Sequence, residues 1–452
     1  MSANTRADGL NVLVLVVDDL RPEIGAYGVE IVRTPNIDAL AERGVRFNRA
    51  YVQQATCTVS RASLFSGLRP DSMGLKHIDM KRLREKQPQH VMWPQYFKNH
   101  GYYTASFGKV YHRNEADPAS WDKRGKKVKG LYCSPENKRF SWRVPGPPVE
   151  SAVVPDNCYR TGKVVDQAVG ELKQLVDVKF FMAVGLYKPH LPFTAPKKYW
   201  DLYSEGDIHK ARKQRKLVGV SRYTLTNYPE LRAFMNVPKS GPIPEQLAQK
   251  LVHGYYAATS YSDAQIGRIM NELDRLGLRD KTIVVLFGDH GWKLGEYNSW
   301  AKQTNLELDT RAPLIISVPG SSQVNKASNA LVEFIDIYPT VSDLAGLTAP
   351  ESIDGSSFLA LLRNPALAFK SAAFSQFPRR GGVMGYAMRT DRYRYVEWRT
   401  RGFGDVLARE LYDHNVDDKE TENIIDRATD ALKRQLASKL ASQIGVASSG
   451  HF

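Results

Sequence analysis

Residues 11–19 read N-V-L-V-L-V-V-D-D, and this stretch decides the fold class. Val12–Val17 contain no polar side chain, so a strand formed from them is apolar on both faces. Such strands are typical of the buried centre of a parallel sheet, because helices cover both faces there. Asp18 and Asp19 follow directly, at the carboxyl end of the strand, where open α/β sheets bind their ligands. The stretch therefore predicts a central parallel strand that carries an acidic pair at the binding edge.

Apolar runs and segments of helical periodicity alternate along the chain as far as Leu347. We predict strands at 45–52, 102–107, 179–186, 283–287 and 314–318, and helices at 34–44, 60–67, 158–176 and 244–276. This order predicts an α/β fold in which helices flank a large, mainly parallel sheet. Beyond Leu347 the pattern becomes that of an antiparallel sheet at 372–399, followed by a closing helix at 421–442. We therefore expect a main α/β domain at 1–349 and a smaller α+β subdomain at 350–452.

The composition is that of a globular chain with a basic excess. Of 452 residues, 42% are apolar and 25% are charged, which excludes a fibrous or low-complexity protein. No apolar stretch reaches half of the about 20 residues needed to cross a bilayer, so no membrane span is expected. The net charge of 63 − 48 = +15 attracts anions without identifying them. No zinc-finger, helix-turn-helix or RRM pattern accompanies the charge, so no nucleic-acid partner is expected, whereas a sulfated or polyanionic substrate remains open.

Three cysteines cannot form a disulfide framework, and at most Cys133 and Cys158 pair. Cys57 is then left over, in A-T-C-T-V-S-R-A-S-L-F-S-G, just before a predicted helix and four residues ahead of Arg61. Both features favour negative charge at the sulfur position, which makes Cys57 a candidate reactive group. The alternative is a small buried cysteine without chemistry. The opening M-S-A-N-T-R-A-D-G has no apolar segment of a secretory signal, so the chain is either cytoplasmic or was exported and lost its signal.

A second acidic cluster follows another predicted strand, as Asp289-His290 in V-V-L-F-G-D-H-G-W. If both strands are parallel, this pair lies at the same sheet edge as Asp18 and Asp19. Clustered carboxylates repel each other unless a cation neutralises them, and oxygen ligands suit a hard divalent ion. The sequence therefore predicts a metal site at this edge. The alternative is that Asp18 only caps a turn or a helix.

Around Cys57, C-T-V-S-R-A-S-L-F-S-G resembles the signature of the formylglycine-dependent sulfatase family, C-x-P-S-R followed by small and apolar residues. The resemblance extends in family order over residues 10–320, through D-D-L-R-P-E-I-G-A-Y-G, T-P-N-I-D-A-L-A-E-R-G, G-K-V-Y-H, K-P-H-L-P-F, D-H-G-W-K-L-G-E and W-A-K. These motifs are similar to those of the iduronate-2-sulfatase branch and its bacterial polysaccharide-sulfatase relatives. The later E-L-Y-D-H-N-V-D-D-K-E-T-E-N-I resembles the family's terminal subdomain. The resemblance implies an alkaline-phosphatase-like fold with the catalytic site in the main domain.

The resemblance also implies a modified nucleophile and a metal ion. In the family the cysteine is converted to formylglycine, whose hydrated aldehyde attacks sulfur, so Cys57 implies a formylglycine-generating enzyme or an anaerobic maturase as a partner. A bound Ca²⁺ is implied as well, and its implied ligands are Asp18, Asp19, Cys57 (as formylglycine), Asp289 and His290. His290 is the least typical of them, because calcium prefers oxygen ligands. Val59 stands where the family has proline, a change that affects recognition by the maturing enzyme, and since Arg61 is retained we expect conversion to remain possible.

The catalytic positions that the resemblance implies are Cys57, Arg61, Lys109, His112, His190 and Lys302. Arg61 matches the arginine that holds the nucleophile. Lys109 and His112 match groups that bind the diol and sulfate oxygens. His190 and Lys302 match groups near the leaving oxygen, where negative charge develops and a proton donor or a cation is needed.

We therefore expect a sulfatase that hydrolyses a sulfate ester of a sulfated sugar or oligosaccharide. The basic balance supports an acidic polysaccharide, and Lys188 and Lys293 are candidates for contacts with its further acidic groups. The segments that flank Cys133 and Cys158 resemble a disulfide-bearing loop of the family, which implies export to the periplasm or beyond. Two alternatives stay open: a phosphate or phosphonate monoester hydrolase of the same superfamily, and a non-catalytic relative that binds glycans.

Overall fold

The structure, a computed structural model, describes residues 9–75, 80–112, 117–211, 215–226 and 230–448. The strands in chain order are β1 (Asn11–Val17), β2 (Val45–Tyr51), β3 (Tyr103–Gly108), β4 (Lys123–Arg124), β5 (Val149–Ala152), β6 (Phe180–Leu186), β7 (Phe193–Pro196), β8 (Thr282–Gly288), β9 (Lys293–Leu294), β10 (Trp300–Ala301), β11 (Leu314–Ser317), β12 (Lys326–Glu333), β13 (Ala372–Arg379), β14 (Val383–Thr390), β15 (Tyr393–Thr400) and β16 (Val406–Asp413). The α-helices are α1 (Pro35–Glu42), α2 (Cys57–Ser66), α3 (Met80–Lys86), α4 (Trp93–Asn99), α5 (Arg160–Leu172), α6 (Lys197–Trp200), α7 (Glu205–Ala211), α8 (Glu245–Arg275), α9 (Glu307–Thr310), α10 (Ile337–Leu344), α11 (Leu359–Arg363) and α12 (Asp430–Ser448).

Eight strands form the central sheet, in the spatial order β12-β2-β11-β8-β1-β6-β3-β4. The stretch 12–17 lies in β1, which pairs in parallel with β6 on one side and with β8 on the other. Every pairing in this sheet is parallel except those of β11, which runs antiparallel to β8 and to β2. The predicted mainly parallel sheet is confirmed, but the buried run at 314–318, which we grouped with the parallel strands, supplies the reversed strand. An apolar run indicates burial on both faces and does not determine chain direction.

Helices pack on both faces of the sheet, and the alternating side chains of β1 reach both layers. Val12, Val14 and Val16 lie in a core shared with α2, α4 and α10. Leu13 and Leu15 lie in the opposite core, shared with α1, α5 and α8. All five side chains are fully buried, and each contributes about 1.5–3 kcal/mol relative to an exposed position. The predicted α/β architecture with helices on both sides is therefore confirmed.

A separate antiparallel sheet follows, in the order β13-β14-β15-β16, with α12 packed against it. The antiparallel pattern predicted at 372–399 covers the first three of these strands, and β16 was missed. The closing helix predicted at 421–442 begins only at Asp430 and reaches Ser448, since residues 425–427 form a separate 3-10 helix. The smaller antiparallel subdomain is confirmed, and the division of the chain between 349 and 350 stays a prediction.

Buried ion pairs connect the two sheets. Arg394 of β15 bonds to Glu420 and to Glu307 of α9. Glu333, the last residue of β12, accepts hydrogen bonds from Lys370 Nζ at 2.8 Å and from a backbone N–H of β13 at 2.9 Å. Because these groups are largely buried, separating the sheets would leave charges without partners, at a cost of about 3–5 kcal/mol for each broken pair.

The cysteines have two different states. Cys133 and Cys158 form a disulfide with 6.0 Å between their Cα atoms, whereas Cys57 is free and buried. Cys57 is the first residue of α2, although the sequence pattern had placed that helix at 60–67. Among the described helices, none is both long enough and apolar enough to cross a membrane.

Candidate active site

Two acidic pairs meet at the carboxyl edge of the central sheet. Asp18 and Asp19 follow β1, and Asp289 and His290 follow β8. β1 and β8 are parallel neighbours, and Val17 lies opposite the last residue of β8. The two pairs therefore lie side by side at the same edge of the sheet. The backbone N–H of Asp19 donates to Asp289 Oδ1 at 2.9 Å, and Asp19 has a φ of 60°, a left-handed conformation that aspartate tolerates better than most residues.

Arg61 neutralises two of these carboxylates. Its side chain lies one turn into α2, where its Nε donates to Asp289 Oδ2 at 2.8 Å and its Nη2 to Asp18 Oδ1 at 3.0 Å. Its Nη1 donates to the carbonyl oxygens of Lys109 and Val110 in the loop after β3. Burial alone would raise the pKa of Asp18, but the Lys109 ammonium, 2.7 Å from Asp18 Oδ1, together with His190 and Arg61 outweighs burial, and the pKa falls below its usual value. Asp18 is therefore held as an anion.

Position 57 is surrounded by cations. Cys57 Sγ lies 3.3 Å from His290 Nε2, 3.4 Å from Lys302 Nζ and 3.5 Å from Lys109 Nζ. The His112 side chain also lies near it and favours its ionised form. Burial alone would raise the pKa of the thiol, but the two ammonium groups lower it well below its usual value. An anionic atom is therefore favoured at this position, at the positive end of a helix.

A second group of charges adjoins Asp19. Lys302 Nζ lies 2.6 Å from Asp19 Oδ1 and 3.6 Å from Glu230 Oε2. Glu230 Oε1 lies 2.9 Å from His190 Nε2, and His190 Nδ1 contacts the carbonyl oxygen of Leu191 at 2.7 Å. Burial would lower the pKa of His190, but Asp19 and Asp18 raise it to about 10. His190 is therefore a protonated imidazole whose Nε2–H is held by a carboxylate.

The donor set fits a hard divalent cation. Oxygen atoms of Asp18, Asp19 and Asp289 lie within 4.8 Å of one another, and ligand atoms of Cys57 and His290 lie equally close to Asp19. Asp19 Oδ2 is buried and has no hydrogen-bond partner in the described part of the chain. A buried carboxylate oxygen without a donor is costly, and a cation beside it removes that cost. The three carboxylates are the oxygen ligands that a hard divalent ion prefers, and the imidazole is the least typical member of the set.

The structure brings every residue predicted for the site into one cluster. They are Asp18, Asp19, Cys57, Arg61, Lys109, His112, His190, Asp289, His290 and Lys302. Sequence reasoning missed Glu230, which lies in N-Y-P-E-L outside any motif and reaches the site only through tertiary packing. Lys188 and Lys293, the candidates for contacts with further acidic groups, are both buried: the Lys293 ammonium pairs with Asp309, and the Lys188 ammonium donates to the His190 carbonyl oxygen at 2.8 Å.

An α/β sheet edge that carries several cations around the buried Cys57 suits a hydrolase that cleaves esters of anionic acids. The chain belongs to the sulfatase family and is a sulfuric ester hydrolase, since the sequence profile of the Sulfatase family matches residues 10–347. The profile of the C-terminal region of N-sulphoglucosamine sulphohydrolase matches residues 295–445.

Individual relatives agree with this membership. Iduronate 2-sulfatase of Homo sapiens is 32% identical, over 93% of this chain and 92% of that protein. The solved phosphonate monoester hydrolase from Silicibacter pomeroyi has a TM-score of 0.79 at 20% identity, over 98% of this chain and 96% of that one. A protein solved in complex with its substrate D-glucosamine-2-N,6-O-disulfate has a TM-score of 0.75 at 20% identity, over 98% of both chains. At this identity the two solved structures establish the shared fold alone, and the expected alkaline-phosphatase-like architecture is confirmed.

Proposed function

We propose that the protein hydrolyses a sulfate ester of a sulfated sugar through a formylglycine made from Cys57, with Ca²⁺ bound beside it. The observation that carries the proposal is the position of residue 57, at the first residue of α2, between the ammonium groups of Lys109 and Lys302 and next to three carboxylates. A sulfated sugar is supported by the named substrates of the relatives, one an iduronate sulfate and the other a glucosamine disulfate.

The metal site would use the groups already in place. Asp18, Asp19, Asp289 and His290 would hold the ion, and residue 57 would touch it. A bound Ca²⁺ supplies positive charge that favours the ionised form of the hydrated aldehyde. Through its two hydrogen bonds, Arg61 holds the carboxylates of Asp18 and Asp289 in position to bind the ion.

The remaining residues act on the sulfate and on the leaving oxygen. Lys109 and Lys302 present ammonium groups toward position 57 and His112 lies near it, and these three side chains bind the sulfate oxygens. As the bond from sulfur to the bridging oxygen breaks, negative charge collects on that oxygen, and His190 Nε2 gives it a proton. Glu230 Oε1 lies 2.9 Å from the same Nε2, so it shares this N–H with the leaving oxygen in a three-centre hydrogen bond and keeps the imidazole oriented for the transfer.

The test begins with the peptide that contains residue 57. Conversion of cysteine to formylglycine removes a sulfur and two hydrogens and adds an oxygen, so its mass falls by about 18 Da. Protein with this mass shift should release sulfate from a sulfated-glycan panel and more slowly from an aryl sulfate. Cys57→Ala should release none, and removal of calcium with a chelator should abolish turnover until calcium is restored. Aldehyde-bearing protein that releases sulfate from no panel member would refute the proposal.

A phosphonate or phosphate monoester hydrolase is the second candidate, because a phosphonate monoester hydrolase shares the fold over nearly the whole chain. The match of the Sulfatase profile favours sulfate esters. Phosphate- or phosphonate-ester turnover that exceeds sulfate-ester turnover at equal concentration would favour this candidate. A non-catalytic glycan-binding protein, the third alternative, requires an unconverted Cys57 with ligand binding and no turnover.

We also propose that the chain works in an oxidising compartment, the periplasm or outside the cell, because Cys133 and Cys158 form a disulfide in the structure. Protein trapped with an alkylating reagent directly from its native host should show neither of these thiols. Free thiols at both positions would indicate a reducing compartment and contradict the proposal.

A further inference from the structure

Arg160, the first residue of α5, is a cation beside the site that none of the steps above uses. Its guanidinium carbon lies 3.9 Å from the ring centroid of Tyr187 and 5.6 Å from that of Trp142. Arg160 Nε is buried and, within the described part of the chain, has no hydrogen-bond partner. Its guanidinium forms no ion pair with any described carboxylate, unlike Arg61, which bridges two of them.

The aromatic rings around Arg160 place it next to the reacting groups. Tyr187 directly follows β6, the neighbour of β1, so it lies at the same sheet edge as Asp18. The Trp142 ring that faces Arg160 also packs edge-on against His190, with 5.5 Å between ring centroids. Arg160 and His190 therefore flank one tryptophan, whose side of the site is open because Trp142 is 47% exposed.

An arginine in this setting lacks an anion. The guanidinium is always protonated, and burying a charge without a partner is costly. The two rings compensate part of that cost by cation–π contact. The N-terminus of a 13-residue helix adds positive potential, which disfavours a cation and favours an anion. Burial lowers the pKa of Arg160, and Tyr187 and then Asp18, which is already paired with Arg61 and Lys109, oppose that only in part.

We propose that Arg160 is a specificity-determining residue that binds a second anionic group, a carboxylate or a further sulfate, on the sugar whose sulfate ester is cleaved. This inference rests on the proposed function. His190, which donates the proton, and Arg160, which binds the second anionic group, would then lie on either side of Trp142, so one sugar ring can reach both. A sulfated sugar without a second anionic group would leave the Arg160 guanidinium unpaired, and the enzyme would discriminate against it for that reason.

The experiment compares three matched substrates: a sulfated hexuronate, the same sulfated hexose with CH₂OH in place of the carboxylate, and that hexose with a second sulfate. We expect the aldehyde-bearing parent protein to prefer one of the two substrates with a second anionic group over the substrate that lacks one, by at least about 30-fold in kcat/KM. Arg160→Gln should reduce that ratio to within about threefold, mainly through KM, since the contact exists in both ground and transition states. The preferred substrate identifies the second anion as carboxylate or sulfate.

Two variants make the result specific. Arg160→Lys keeps the charge but loses the planar fork, so it should retain part of a preference for the carboxylate. Arg143→Gln, next to Trp142 and exposed, removes the same charge nearby and should leave the ratio unchanged. Should Arg160→Gln fail to fold by thermal melting, Arg160→Met keeps an unbranched stem between the two rings.

The outcomes separate the two proposals. If the parent shows no preference, or if Arg160→Gln keeps it, the inference is wrong while the sulfatase function stands. If aldehyde-bearing parent protein hydrolyses none of the three substrates and no aryl sulfate, the proposed function fails and the inference fails with it.

Discussion

Replacing Glu230 by glutamine isolates the carboxylate that joins His190 to Lys302. Glu230 Oε1 lies 2.9 Å from His190 Nε2, and Oε2 lies 3.6 Å from Lys302 Nζ. Glutamine has nearly the same size and keeps one acceptor oxygen, so Glu230→Gln removes charge without creating a cavity. Asp19 and Asp18 still favour the protonated imidazole, so the variant loses the orientation of the proton donor and not its proton.

The expected loss can be worked from these contacts. A hydrogen bond to a charged group contributes about 1.5–3 kcal/mol, and the contact to His190 has the length of a full hydrogen bond. The contact to Lys302, at 3.6 Å, adds little. A loss of about 2–3 kcal/mol in the transition state corresponds to a kcat lower by about 30- to 150-fold.

The assay uses two leaving groups. A sugar alcohol leaves poorly and needs the proton from His190, whereas nitrophenol leaves well without it. Glu230→Gln should therefore lower kcat for a sugar sulfate by about 30- to 150-fold and for nitrophenyl sulfate by about fivefold or less. Glu205→Gln, at an exposed position in α7, serves as the control and should change neither rate. Equal losses on both substrates would refute the role of Glu230 in proton donation by His190.

Three further predictions concern the site and the stability of the fold. Arg61→Lys keeps the charge but cannot bridge two carboxylates. We expect kcat, measured by sulfate release, to fall by about 100-fold, and the free energy of unfolding, measured in urea, to fall by about 2 kcal/mol. Unchanged values would contradict the bridging role. Burial raises the pKa of Asp263 from 3.8 to about 6, so the protonated carboxyl contributes about 3 kcal/mol to the unfolding free energy. This contribution is complete below pH 3.8 and is lost as the pH rises through about 6. Asp263→Asn should give a flatter stability profile between about pH 4 and 7 in urea unfolding, and a profile parallel to that of the parent would exclude this cause. Cys133→Ser/Cys158→Ser should lower the unfolding free energy by about 3 kcal/mol, and reducing the parent should lower it equally; no difference on reduction would mean that the bridge does not stabilise the fold.

Much of the fold follows from local patterns in the sequence. The run at 12–17 predicts a buried central strand, because a strand whose side chains are all apolar must be covered on both faces. In the structure β1 lies in the middle of the sheet. The direction of β11 could not be predicted, since chain direction depends on how the segment between Asp289 and Leu314 returns to the sheet. The helix predicted at 244–276 agrees closely with α8, because its apolar spacing continues over many turns.

The site shows the same division between local and tertiary information. Asp18 and Asp289 are predictable, because both follow buried strands whose carboxyl ends meet at one edge. No local sequence pattern identifies Glu230 or Arg160 as a site residue. Glu230 contacts His190 from an irregular segment, and Arg160 contacts two aromatic rings that lie elsewhere in the sequence. Neither contact can be predicted from local spacing.

The charged links between the two sheets make the C-terminal part inseparable from the rest. A chain cut after residue 349 would leave the Glu333 carboxylate without Lys370 and without the amide of β13, and would leave Glu307 without Arg394. Neither fragment should therefore persist as an independent module, and calorimetry of the intact chain should record a single cooperative melting peak. The two sheets would then move as one body.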